Sequence, residues 1–265
     1  MTTVNDSGIY PRDGTRTGHS NQVQMLSAEK LLAMWEAGVN RRPLERAIGV
    51  LRTGGMERPG EKLEQLALGC RDGRLLSLRE EAFGPEVSGA ANCPHCGEAV
   101  EVSFRAEDIR LPEAEQPELL RLEHSGYALS FKLPTTEELL AVEMTGDEEA
   151  DEQRLLRGCI AAAVRGDEPV APEKLPAAVQ EAVMQTMAAC DPQAEVEIAL
   201  TCPACRAAWS EIFDIESFFW NELQAWAGRM LREVHQLACA YGWSERQILA
   251  LPPLRRSMYL NMVAE

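Results

Sequence analysis

The sequence lacks the compact catalytic signatures that residue order alone can reveal. No GxSxG elbow, HExxH pair or glycine-rich dinucleotide turn occurs, so the hydrolase, metalloprotease and Rossmann chemistries built on them have no foothold. Gly55 to Lys62 has the glycines and the lysine of a phosphate loop without its chemistry. Pro59 interrupts it, Glu61 precedes the lysine, and Leu63 stands where a hydroxyl should bind magnesium. Histidine is scarce, four in 265 residues. Asp and Glu are too numerous to single out a catalytic pair. Neither an enzyme nor a small-molecule substrate is expected.

Basic charge is short as well. Lys and Arg total 26 against 42 Asp and Glu, a net charge of −16, which opposes non-specific binding to nucleic acid or to an anionic membrane. No apolar run reaches the length of a membrane span. Met1 to Gln24 has no apolar signal core, and a cytoplasmic protein is expected. What remains is ordinary for a soluble globular chain: 45% hydrophobic and 26% charged residues.

Two short stretches stand out, Cys93-Pro94-His95-Cys96 and Cys202-Pro203-Ala204-Cys205. A CxxC turn places two thiols on one side of a metal, and two such turns complete a tetrahedral shell. Both are followed by alternating residues, Ala99 to Phe104 and Ala208 to Phe213, with a Phe eight positions after the second cysteine. One half-motif thus occurs twice. The reading is a split zinc ribbon in which Cys93, Cys96, Cys202 and Cys205 hold one structural zinc ion. Over a hundred residues separate the pairs, where a compact ribbon has about fifteen to twenty. Disulfides fit less well, since nothing marks the chain as exported. A thioredoxin-like pair would open a helix, whereas these turns open strands. His95 inside the first turn reads as solvent-facing. Cys70, Cys159, Cys190 and Cys239 sit alone in apolar helical patterns and read as buried free thiols. His235 and Cys239, one helical turn apart, read as helix packing.

In order, residues 1–25 are polar and expected to form a disordered arm. Residues 26–88 read as an N-terminal helical unit. Ser27 caps a helix through Leu31, Leu32, Met34 and Trp35, a second set runs from Leu44 to Leu51, and a third stretch from Lys62 to Phe83. Residues 89–110 and 195–213 make the split ribbon. Between them, 111–194 reads as an α+β insertion. It begins with a short acidic helix over Leu111 to Leu122, then a strand carrying Tyr127, Leu129, Phe131 and Leu133. Next come a helix boxed by Thr135 and Glu138 and helices over Leu155 to Val164 and Ala177 to Ala189. From Thr136 to Gln153 there are eight acids and no base, a solvated face in the first reading and an acidic docking surface in the second.

Residues 214–265 are C-terminal helices. Asp214 caps the longest, whose Phe219, Leu223, Trp226, Met230, Val234, Leu237 and Tyr241 form one apolar stripe. Phe218 and Trp220 fall off that line: either they complete an exposed or half-exposed partner-binding patch, or the N-terminal helices or the insertion cover them. Ser244 and Gln247 box a following short helix. That corner has the order of a helix-turn-helix, but Ile248, Leu249 and Leu251 make it a packing corner rather than a DNA reader. The fold class is α+β and mostly helical, with a split ribbon interrupted by an insertion.

The C-terminal block carries a resemblance. Cys202-Pro203-Ala204-Cys205, Trp209, Phe213-Asp214-Ile215, Phe218 and Trp220 lead into Leu231 to His235. Tyr241-Gly242-Trp243-Ser244-Glu245, Ile248 to Leu251 and Arg255-Arg256 follow. This resembles the T-even-type baseplate hub assembly chaperone family of contractile-tailed phages and bacterial contractile injection systems. The resemblance implies a non-enzymatic assembly factor or minor baseplate component. It would bind baseplate hub or tail proteins, and neither nucleic acid nor membrane, in the cytoplasm or in an assembled tail-like particle. It implies no catalytic residue. The alternative is a zinc-ribbon regulator contacting nucleic acid or the transcription machinery, which would need a clustered basic face.

Overall fold

The computed structural model describes residues 8–11, 26–113, 118–142 and 146–264. In chain order, strand β1 is Tyr10–Pro11, helix α1 Ala28–Gly38, α2 Pro43–Gly54 and α3 Leu68–Phe83. Strands β2, Glu86–Asn92, and β3, Ala99–Arg105, bracket the first cysteine turn, and α4, Ala106–Ile109, follows. Then come β4 Leu120–His124, β5 Tyr127–Phe131, α5 Thr136–Ala141, α6 Glu148–Cys159, β6 Ile160–Arg165, β7 Glu168–Pro169 and α7 Ala177–Cys190. Strands β8, Glu197–Thr201, and β9, Ala208–Ile212, bracket the second turn. Helices α8 Ile215–Tyr241, α9 Glu245–Leu249 and α10 Pro253–Ala264 close the chain. The class is α+β, and no helix among the described residues is long and apolar enough to cross a membrane.

The chain divides into two units. The first comprises residues 1–56, 75–108 and 198–265, the second 57–74 and 109–197. The second unit contains residues 111–194 together with 57–74, read above as part of the N-terminal helical unit, and 109–110 and 195–197, read above as ribbon.

In the first unit, α8 is the spine. Asp214 caps it, its carboxylate accepting from the Ser217 N–H at 3.1 Å, and Gly242 ends it in the left-handed conformation. Its stripe of Phe219, Leu223, Met230, Val234 and Leu237 is buried, and α1, α2, β1, α9 and α10 all pack on it. Burying a side chain of this size contributes about 1.5–3 kcal/mol, so α8 owes its place to packing more than to propensity. The Arg79 side chain, 3% exposed, grips it with two bonds to the Glu222 carboxylate, both 2.7 Å, and a third to Gly84 O at 2.8 Å. Strands β1, β2 and β3 form an antiparallel sheet in that order. Gly89 is needed there because a Cβ would meet Tyr10 O of β1 and the Phe218 ring. The arm expected over 1–25 thus contains an ordered piece: Tyr10 and Pro11 pair with Ala90 and Gly89, and Ile9 is buried. Residues 1–7 and 12–25 lie outside the described residues.

In the second unit, β4, β5, β6 and β7 form an antiparallel sheet in sequence order. Leu129, Phe131, Leu156, Ile160, Val179, Val183 and Met187 make its core with α6 and α7. Asp191, buried, accepts from the Gly69 N–H at 2.8 Å and ties residues 57–74 to the rest of the unit.

Three expectations are corrected here. Among the described residues of 111–122, the expected acidic helix is absent. Leu120 to His124 is a strand paired with β5, its Leu-Arg-Leu-Glu alternation supplying period two; residues 114–117 lie outside the described ones. The helix over 155–164 stops at Cys159, because Ile160 to Arg165 pairs with β5 and exchanges its own ladder for a sheet position. The stretch 62–83 is a 3₁₀ turn at Leu63–Gln65 followed by α3.

Candidate metal centre

Each cysteine pair sits at the tip of a strand pair, β2–β3 or β8–β9. The two tips are built alike, bond for bond. The Cys93 N–H donates to Glu98 O and the Gly97 N–H to Cys93 O, both at 2.9 Å. In the second tip the Cys202 N–H donates to Ala207 O and the Arg206 N–H to Cys202 O, again both at 2.9 Å. The residue after the second cysteine must turn left-handed. Gly97 does so at φ 76° and Arg206 at φ 61°, where only glycine escapes a steric cost.

The structure brings all four sulfurs within 4.8 Å of one another. Cys93 lies 3.6 Å from Cys205 and Cys96 lies 3.6 Å from Cys202. A disulfide would need about 2.05 Å, and the cysteines are free thiols. A metal bonded to four sulfurs at about 2.3 Å requires sulfurs about 3.8 Å apart at the corners of a tetrahedron. The observed spacing fits that. Burial repeats between tips: the first cysteine of each pair is buried and the second exposed. Cys93, Val100 and Cys202 form a small cluster flanked by Ala207 and Trp209. Behind it, Phe104 and Phe213 meet edge-on, centroids 5.2 Å apart, so the shared phenylalanine spacing joins the two tips.

The four thiols do not share one electrostatic environment. The Cys205 N–H donating to the Cys202 sulfur holds that thiol down at about 7. At Cys96 the Glu98 N–H pulls the same way, but the Cys205 thiol, then burial, then the Cys202 and Cys93 thiols outweigh it and push Cys96 up to about 12. Four thiolates this close cannot all ionise against one another; a divalent ion among them removes that conflict. A closed set of four sulfurs suits a soft or borderline metal and leaves no open position for water. His95 is exposed beside the site.

The structure overturns the exposed aromatic patch. Phe218 is 1% exposed and Trp220 9%. Phe218 packs on Phe213 at 5.2 Å, with the Arg79 guanidinium 5.9 Å from its ring centre. The Arg46 guanidinium lies 4.7 Å over Trp220, whose ring fills the space a Cβ on Gly38 would need. The helix is covered on more sides than one apolar stripe requires, and both rings serve the core. Of the lone thiols, Cys159 is buried and Cys70 half-buried, but Cys190 and Cys239 are exposed. His235 and Cys239 approach to 3.9 Å on the outer side of α8, and no third ligand-type residue joins them among the described residues.

Sequence reasoning missed Arg79 and Glu222, which join elements 143 residues apart. It also missed the strand at Tyr10, whose hydroxyl donates to Asn92 Oδ1 at 3.0 Å just before the first cysteine turn. An arginine at an otherwise apolar helix position was the available sign of the first.

Residues 57–220 match the family described as T4 bacteriophage base plate protein. The match covers more than half of the chain, and the chain belongs to that family. It begins at the first residue of the second unit and contains both cysteine pairs. No curated protein and no solved structure matches the chain. Membership assigns a structural or assembly role connected with the phage base plate, and other tail or base plate proteins as the partners.

Proposed function

We propose that this protein is a non-enzymatic assembly factor, a chaperone or a minor component of a contractile-tail base plate. It acts by binding hub or tail proteins and is pinned by one structural zinc ion. The observation that carries this is the family match spanning 57–220 with the four-sulfur site inside it. Zinc is the metal because four thiolates closed to water, on CxxC turns that open strands rather than a redox helix, are its structural donor set. Cys93, Cys96, Cys202 and Cys205 would hold it. When bound it supplies charge balance and a cross-link rather than a reactive centre.

The test is removal of the gene from a virus that carries it, with tails examined by electron microscopy. Tails without complete base plates are expected, together with one zinc per chain in the purified protein by elemental analysis. Normal base plates in its absence would overturn the assembly role. A metal-free, fully folded protein would overturn the zinc. Mass spectrometry of finished tails then separates a chaperone, absent from them, from a component, present in them.

A further inference from the structure

Helix α10 packs by one side. Its Tyr259 and Leu260 lie against a cluster from α8 and α9 that includes Met230, Val234, Leu237 and Ile248. Arg256, 6% exposed, donates from Nε to Glu233 of α8 at 2.6 Å and from Nη1 to Leu251 O at 3.3 Å. These contacts fix the helix about its axis and turn the other side outward. There Leu254 is 66% exposed, Met258 53% and Met262 59%. They are spaced by four, so they form one line along the helix. Single exposed apolar side chains are ordinary; a row of three is the mark of a contact surface.

The row adjoins an aromatic corner. Tyr241, exposed at the end of α8, stacks on Trp243 at 4.7 Å, and Tyr259 meets the two rings edge-on at 5.7 and 4.9 Å. Aromatic rings, methionine and arginine are the side chains enriched at protein interfaces, and methionine adapts its shape to what it meets. The charge is also local. Between Tyr241 and Ala264 there are three arginines and one acid, Glu245, in a chain whose net charge is −16. Arg246 and Arg255 are exposed, and α10 itself contains no carboxylate.

We infer that the outer face of α10 docks an acidic amphipathic helix of another tail or base plate protein. Leu254, Met258 and Met262 form the apolar line, and Arg255 stands at its rim. A partner helix laid alongside buries its own apolar stripe on this line, and carboxylates on its flank meet Arg255 and Arg246, as flanking charges do in paired helices. A second copy of the chain fits less well. Two-fold pairing through α10 would set like charge against like and join two molecules that each carry −16. The partner's origin rests on the base plate reading above; the surface does not.

The experiment places p-benzoylphenylalanine at Met258 of the full chain, co-expressed with the tail proteins of the same virus. After irradiation the cross-linked peptide is identified by mass spectrometry. The expected product is an acidic, amphipathic helical segment of one tail protein. The doubly substituted Leu254→Glu, Met258→Glu chain should keep its circular dichroism and its metal, because both side chains point to solvent. It should lower co-purification of that protein at least tenfold, and Arg255→Glu alone should lower it severalfold. A cross-link to a second copy, to a basic or extended segment, or to nothing would overturn the inference, as would undiminished binding by the doubly substituted chain. If that chain still supports complete base plates, the docking surface fails and the assembly role stands. If tails form normally without the protein, the assembly role fails, and the cross-link alone decides the surface.

Discussion

Stripping the metal should melt the two cysteine turns while the helices stay folded. The cluster around the sulfurs has three buried members, Cys93, Val100 and Cys202, and two of them are the proposed ligands. Burying the valine and the better part of Trp209 yields about 3–6 kcal/mol. The four backbone bonds that close the turns add about 2–6 kcal/mol net. Against this, fixing the backbone of the eight turn residues Cys93–Cys96 and Cys202–Cys205 costs about 8–16 kcal/mol. At the middle of these ranges the metal-free turns fall short by about 3–4 kcal/mol. A bound structural zinc, worth about 10 kcal/mol or more in small domains, reverses the sign. The assay is hydrogen exchange read by mass spectrometry, with the metal-loaded protein set beside the same protein treated with a chelator. The amides of Cys93, Gly97, Cys202 and Arg206 should exchange at least about 100-fold faster without metal, since every 1.4 kcal/mol is tenfold. Amides in β5 and the middle of α8 should keep their protection. If elemental analysis shows the metal gone and those four amides exchange as before, the turns are held by their own packing and the reasoning is wrong.

Trp220→Ala should cost about 3–5 kcal/mol in urea unfolding, as a buried aromatic does; a loss under about 1 kcal/mol would contradict its burial. Arg206→Gly should stabilise the protein by about 0.5–1 kcal/mol, because the left-handed turn at φ 61° penalises a side chain, and Gly97→Ala should do the reverse; equal midpoints for both would remove the argument. Acid should weaken the second unit. The Arg74 side chain, 6% exposed, holds Glu61 and, at 2.9 Å, Glu113. The Arg74 bond lowers Glu61 below its usual range. At Glu113 the bonds from Arg74, Cys70 and Arg58 overcome burial and bring it to about 2. Both carboxylates are depressed on folding, so their contribution is complete above about pH 4.5 and is lost as pH falls toward about 2. An Arg74→Met chain should show a flatter loss of stability over that window, measured by thermal melting, and an unchanged slope would exclude the cluster.

The four-cysteine cluster was legible because turn geometry is local. A CPxC turn fixes the spacing of its two thiols, and the repeat of Phe104 and Phe213 at equal distance betrays two copies of one hairpin. The ends of α8 and α9 were legible for the same reason, since Asp214 and Ser244 bond within their own first turns. What failed depended on what lies across the fold. Phe218 and Trp220 look surplus to one stripe, and nothing along the chain says that Phe213, Arg79 and Arg46 cover them. Ile160 to Val164 is rich in alanine and continues a helical pattern, yet it lies between β5 and β7, and sheet pairing overrides propensity. The alternation at Leu120 to Glu123 was present, but the acids before it suggested a solvated helix.

A metal held by the four sulfurs, as proposed above, would do what a continuous core would otherwise have to do. Residues 109–197 of the second unit leave the first unit after β3 and return at β8. Each two-stranded tip is marginal alone, and Cys96 and Cys202 are 106 residues apart. Closing a loop of that length costs on the order of 5 kcal/mol, and lengthening it further adds little. Four metal–sulfur bonds would exceed that cost whatever the insertion contains. The family match spans the insertion and both tips but stops at Trp220, short of α9 and α10. The four-cysteine scaffold and the outer face of α10 are thus separate segments of the chain. Partner choice at Leu254, Met258 and Met262 can vary without disturbing the four sulfurs. For the same reason, removing the metal should alter exchange at the tips well before it alters docking on α10.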